Sequence, residues 1–116
     1  MQHTLAVYDR ALALEQAGGS AELAADLLSM LLQELPDTRH TLQTAFAAQD
    51  YDALLRHAHK LHGATVYTGV TALRAALANL ELSLKRALLH QVPGQLETTL
   101  TEIDRVLGLD SPGSND

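Results

Sequence analysis

The sequence predicts an all-α fold, an antiparallel four-helix bundle with one or two short accessory helices. Three observations lead there. Leu and Ala dominate the chain, and both are strong helix formers. β-branched residues are sparse and the aromatics amount to three Tyr and one Phe, so the side chains that strands favour are scarce. Apolar residues also recur at helical spacing between Gly, Pro and capping residues. At 116 residues the chain has the size of one domain around one core.

A first helix is expected from about Thr4 to Gln16, with Leu5, Tyr8 and Leu12 on one stripe. Gly18-Gly19 ends it, because glycine tolerates left-handed cap geometry. Ser20 reads as the N-cap of a second helix, Ala21 to Leu35, apolar enough to pack on several neighbours. Pro36 is expected to break this helix and open a third, Asp37 to Ala48, with Thr38, Leu42, Ala45 and Phe46 inward. Asp50 caps a fourth, Tyr51 to Val66, where Tyr51, Leu54, Ala58, Leu61 and Thr65 hold core spacing. Thr68-Gly69 turns the chain into a fifth, Thr71 to His90, carrying Leu73, Leu77, Leu80 and Leu84. Pro93-Gly94 is expected to stop it, and a sixth helix, Gln95 to Leu107, carries Leu96, Leu100, Ile103 and Leu107. Residues 1–107 then form the single domain, and 108–116, built from Gly, Pro, Ser and Asn among others, a disordered tail.

Composition narrows the function classes. The net charge of −6 argues against nucleic acid or an anionic membrane surface as the main partner. The absence of Cys excludes disulfides, Cys-based zinc sites and thiol chemistry. No apolar run reaches the length of about 20 residues that a membrane span needs. No basic-then-apolar leader opens the sequence, so the expected compartment is the cytoplasm, without direct membrane contact.

Three of the six histidines crowd the fourth helix: His57, His59 and His62. Three histidines invite a metal, but helix geometry opposes it. His59 and His62 lie about 60° apart around the axis, while His57 is about 160° from His59, so the three do not converge on one ion. No metal site is therefore expected. Gly63 is more informative. It stacks one turn after His59 and costs about 1 kcal/mol relative to Ala in a helix. It leaves bare backbone beside the imidazole, either for close packing of another helix or for a bulky partner approaching His59. His59 borders the core residue Ala58, where a ring can be held and still reach solvent. Lys60 and His62 flank it and can offer charge or hydrogen bonds to an anion held there. A neutral imidazole is a good nucleophile near pH 7, so the cluster suits phosphoryl chemistry.

The segment Ala58-His59-Lys60-Leu61-His62-Gly63-Ala64, followed by Tyr67-Thr68-Gly69-Val70 and Leu80-Glu81, resembles the histidine-phosphotransfer (HPt) domain. The likeness is greatest to the C-terminal HPt domain of BarA/GacS-type hybrid sensor kinases. The resemblance implies a phosphocarrier. His59 would accept a phosphoryl group from an aspartyl phosphate on the receiver domain of a hybrid sensor kinase. It would then yield the group to the receiver domain of a response regulator. Gly63 would admit the receiver. Glu81 would hold the other ring nitrogen of His59, as a Glu or Gln does in some members; the alternative is a solvated helix residue. Many members carry Lys where His62 stands, so the usual Lys contact is not reproduced in kind. The chain would need no cofactor of its own, since the partner receiver supplies Mg²⁺, and would be a monomer when isolated. A cytoplasmic domain of an inner-membrane sensor kinase fits this reading. No Gly-rich phosphate loop points to an ATP site.

Two other readings stand beside it, a passive helical interaction or dimerisation domain and a metal-binding bundle. The charge distribution separates the histidine region from the acidic average. Between Ala53 and Leu96, the cations Arg56, Lys60, Arg74, Lys85 and Arg86 face the single acid Glu81, so this stretch is basic within a chain of −6. Such a surface complements the acidic aspartate pocket of a receiver.

Overall fold

Four long helices supply the framework, and their order follows from caps and stripes in the sequence. A computed structural model describes residues 5–109. A short α1 (Arg10–Gln16) precedes α2 (Ala21–Ala47), α3 (Tyr51–Thr65), α4 (Thr71–Lys85) and α5 (Val92–Gly108), with one 3₁₀ turn at Leu89–Gln91. No strand occurs among the described residues. Each of the long helices packs on two others, α3 between α2 and α4, and α5 closing the bundle against α4 and α2. Leu35, Leu42, Leu54, Leu73, Leu77 and Ile103 are among the side chains wholly removed from solvent at its centre. Burial of one such side chain stabilises the fold by about 1.5–3 kcal/mol.

Pro36 does not break the helix. α2 runs through it from Ala21 to Ala47, so the expected second and third helices are one. Proline lacks the N–H that would reach the Leu32 carbonyl, a defect worth about 3 kcal/mol in a helix interior. Pro36 is exposed, which leaves that carbonyl on the outer side of the bundle. The core stripe Leu31, Leu35, Thr38, Leu42 and Ala45 keeps its phase across the proline, and the burial it secures outweighs one lost bond. Downstream, Arg39 is tied to α5 by a two-pronged pair with Asp104, at 2.8 and 2.9 Å.

Three other boundaries differ from expectation. α1 starts at Arg10, where the Asp9 side chain caps the Leu12 amide at 3.0 Å, and its buried face is Ala13 and Ala17 rather than the Leu stripe. Residues 5–8 are not helical, and this segment binds the α3–α4 turn instead. The Asp9 amide donates to the Gly69 carbonyl, and the Ala6 carbonyl accepts from the Ala72 amide and the Thr71 hydroxyl. Thr4 lies outside the described residues. α4 ends at Lys85, five residues short of His90. Ala87 turns left-handed (φ 57°) and the Leu88 amide returns to the Ser83 carbonyl at 2.8 Å, a Schellman-type stop. Pro93 then opens α5 within its first turn, where its missing N–H costs nothing. Gly108, expected to begin the tail, is instead the last residue of α5, and from residue 110 the expected tail lies outside the described residues. No described helix is long and apolar enough to cross a membrane.

Candidate functional site

α3 and α4 form a hairpin that carries the site. The Asp50 carboxylate starts α3 by accepting from the Ala53 amide at 3.0 Å. Burial of Leu54, Ala58, Leu61 and Thr65 then fixes the rotation of α3 about its axis. That rotation turns His59, one residue past Ala58, outward. On α4, Leu73, Leu77 and Leu80 face the same core and bring Glu81 to the border beside α3. The turn between them depends on Gly69. Its φ is +69°, and a Cβ there would stand 2.8 Å from the Asp9 carbonyl oxygen and 2.9 Å from the Ala13 Cβ. Only glycine meets both demands without displacement.

Glu81 collects the histidines. Its carboxylate, 5% exposed, meets His59 Nδ1 at Oε1 (2.8 Å) and His62 Nδ1 at Oε2 (2.5 Å). Lys85, one turn further along α4, brings Nζ to 3.8 Å from Oε1. An ionised carboxylate only accepts hydrogen bonds, so both imidazoles carry their proton on Nδ1. A neutral His59 therefore keeps an unprotonated Nε2. Its side chain is 72% exposed, against 27% for His62, so the free nitrogen of His59 is the accessible one. Glu81 is thus a buried partner of the histidines and not a solvated helix residue.

The other expected residues fall in different places. Gly63 is exposed, and a Cβ built on it would meet nothing within 4 Å. No neighbouring helix accounts for this glycine, and the backbone one turn beyond His59 is bare toward solvent. Lys60 is exposed and lines a groove between α2 and α3 with His57, Glu34, Asp37 and Thr41, not the depression beside His59. That depression is shallow and open, lined by Asp52, Leu55, Arg56, His59 and Lys85. Lys85 and Arg56 are the site residues that the motif does not mark. For Lys85 a signal existed in its i,i+4 spacing from Glu81. Among the described residues no three His, Asp or Glu side chains gather as metal ligands.

Comparison with known proteins agrees with this geometry. The family model of the Hpt domain matches residues 26–108. The sensor histidine kinase GacS of Pseudomonas protegens is 42% identical over 104 residues, 90% of this chain and 11% of that protein. The signal transduction histidine-protein kinase BarA of Shigella flexneri is 34% identical over 102 residues, 87% of this chain and 11% of that protein. The chain therefore spans about a tenth of the length of these curated relatives. The crystal structure of the HPT domain from a Shewanella hybrid sensor histidine kinase superposes with a TM-score of 0.83 at 33% identity, covering 91% of this chain and 92% of that one. The chain belongs to the Hpt domain family, the histidine-phosphotransfer modules of phosphorelays.

Proposed function

We propose that His59 is the phosphoryl-accepting residue and that Nε2 is the reacting atom. The observation that carries this is the Glu81 contact. It holds the proton on Nδ1 and leaves a lone pair on the exposed Nε2. In the forward step, Nε2 attacks the phosphorus of a receiver aspartyl phosphate. The N–P bond forms, the P–O bond to the aspartate breaks, and the aspartate leaves as a carboxylate. No proton moves. The ring keeps Nδ1–H and acquires positive charge, which Glu81 stabilises, as a buried carboxylate does for a catalytic imidazole. The reverse step delivers the group to the aspartate of a second receiver. Catalysis on this side is positioning and charge stabilisation, and Mg²⁺ belongs to the receiver.

The remaining residues have subordinate roles. Gly63 gives the receiver room beside His59. His62 acts through Glu81, since its Nδ1 is committed to that carboxylate and cannot reproduce through that atom the Lys contact common in the family. Lys60 and Arg56, with Lys85, present positive charge to the acidic pocket of the receiver. The partners are the receiver of a hybrid sensor kinase and that of a response regulator, met by a monomeric domain on the cytoplasmic side of the membrane.

The test is transfer from a phosphorylated receiver domain to the purified chain. We expect an acid-labile, alkali-stable phosphoryl group on His59, absent in His59→Ala. Transfer undiminished in that variant overturns the assignment. Association that does not slow with rising salt removes the charge-steering component.

A further inference from the structure

Glu81 serves two imidazoles, and the acceptor role of His59 uses only one of them. The second, His62, sits at 2.5 Å on the other carboxylate oxygen, shielded from solvent where His59 is open. Histidine is the side chain whose ordinary titration falls between about pH 5 and pH 8. The groups around His62 are few. On α4 these are Glu81 and, on the same carboxylate, Lys85; on its own helix it is His59, the other imidazole on that carboxylate. α2, the other helix packed on α3, directs Glu34 and Asp37 into the groove with His57 and Lys60, and His40 into a neighbouring groove with His57. The carboxylate that balances His62 is thus the one that balances His59.

We propose that His62 is a proton-operated positioning residue. Its protonation withdraws Glu81 from His59 and moves phosphoryl groups off this domain onto receiver aspartate. The proposal rests on the reading of His59 as the acceptor. With His62 neutral, its Nδ1–H is an ordinary donor and the Glu81 charge is available to the positive ring that phosphorylation creates on His59. A proton added from water to His62 Nε2 turns the bond to Oε2, already charge-assisted by the carboxylate, into a hydrogen-bonded ion pair that draws the Glu81 charge toward His62. Phospho-His59 then shares one carboxylate with a second cation. Its ring becomes a better leaving group, and the unphosphorylated ring a poorer nucleophile. A charged His62 also attracts the phosphoryl group, which works the other way. That group sits on the outward Nε2 in solvent, farther from His62 than the two rings are from Glu81, so this attraction is the more screened of the two.

The phosphoryl label is allowed to partition between the chain and a receiver domain from about pH 5 to about pH 8, for the wild type and for His62→Gln. The Gln amide donates to Oε2 but cannot take up a proton. Receiver titration and the acid lability of phosphohistidine are common to both and cancel in their ratio. We expect the chain-bound share of the wild type, relative to the variant, to fall about tenfold from the alkaline to the acid end, the effect of roughly one pK unit of coupling between groups sharing a charge partner. A ratio independent of pH overturns the proposal and leaves His59 as acceptor. A wild type that takes no label on His59 overturns the acceptor reading itself. Coupling is reciprocal, so the wild type alone supplies a second measurement that needs no variant. Phosphorylation of His59 should lower the titration midpoint of His62, read from its imidazole nitrogens, by about one unit. An unmoved midpoint, or a raised one showing direct support of the phosphoryl group, overturns the proposal.

Discussion

Replacing Glu81 by Gln isolates what the carboxylate charge contributes to transfer. The substitution keeps the side-chain volume at a position 5% exposed, so packing on Leu77 and Leu80 should survive. Two effects oppose each other. The amide cannot stabilise the positive ring that forms when Nε2 takes the phosphoryl group, which slows loading. Loss of a negative charge also lessens repulsion of the incoming phosphoryl dianion, which speeds it. Distance decides between them. The carboxylate touches the ring at 2.8 Å, whereas the phosphorus is on the order of twice as far away, beyond the ring and in solvent where the effective dielectric is higher. The first effect therefore wins. A carboxylate in contact shifts the protonation of a neighbour by about 1–3 units, at about 1.4 kcal/mol each. Taking the lower part of that range, because His59 is 72% exposed, the transfer rate should fall between about tenfold and a hundredfold. The amide also has one acceptor oxygen for two Nδ1–H groups, so one imidazole must move its proton to Nε2. Whenever that ring is His59, the nucleophile is blocked. The assay is rapid-quench transfer from a phosphorylated receiver, with circular dichroism to establish folding. A folded Glu81→Gln protein that loads at the wild-type rate refutes the charge argument.

Three further substitutions test the frame. Gly69→Ala forces a Cβ into a left-handed residue at about 1–2 kcal/mol and against the Asp9 carbonyl and Ala13 at about 1–3 kcal/mol more. The urea midpoint should drop accordingly with an unchanged slope, and wild-type stability in this variant would remove the strap between residues 6–9 and the α3–α4 turn from the account. Gly63→Gln should fold at least as well as the wild type, gaining up to about 1 kcal/mol of helix propensity, yet transfer more slowly; equal rates would dismiss close approach at this spot. Asp104→Asn breaks the pair with Arg39, whose hydrogen bond holds the Asp104 carboxyl below the usual carboxylate range. The pair lies at the surface, with Asp104 exposed and Arg39 half-buried, so the loss should be at most about 1 kcal/mol. A depressed folded pKa stabilises above the unfolded value, about 3.9 for Asp, and that stability disappears as pH falls through the folded value. Urea midpoints of the two proteins should therefore differ at neutral pH and converge in acid.

At Pro36 and Pro93 the residues around the ring, rather than the proline alone, decide whether a helix runs on or begins. Leu31, Leu35, Thr38, Leu42 and Ala45 hold one helical phase across Pro36, so continuity was present in the sequence, and the proline could be afforded because it falls on the solvent side. Proline at position 93 is as suited to starting a helix as to ending one. The end of α4 was less legible. Ala87 takes a left-handed conformation that the sequence does not announce, since the usual Gly or Asn is absent. The strap of residues 6–9 is not legible at all, because its bonds are made by main-chain groups whose partners are 60 or more residues away.

The site divides along the same line. Angles around α3 separate His57 from His59 and His62, and the structure keeps that separation, with His57 in the α2–α3 groove and the other two on Glu81. What one helix alone could not convey is that α4 completes the site. Glu81 is 22 residues from His59, and only the packing of Leu54, Ala58 and Leu61 on Leu73, Leu77 and Leu80 sets their registers so that one carboxylate spans both rings. The same geometry makes the side chain at position 62 matter, since it reaches the carboxylate that also holds His59. A lysine would bring a permanent positive charge to this end of α3. His62 places a titratable ring beside a carboxylate that already orients the nucleophile. The core therefore does more than support the site: by setting two helix rotations it makes one buried charge common to two imidazoles, and on the proposed mechanism this couples the protonation of one to the chemistry of the other.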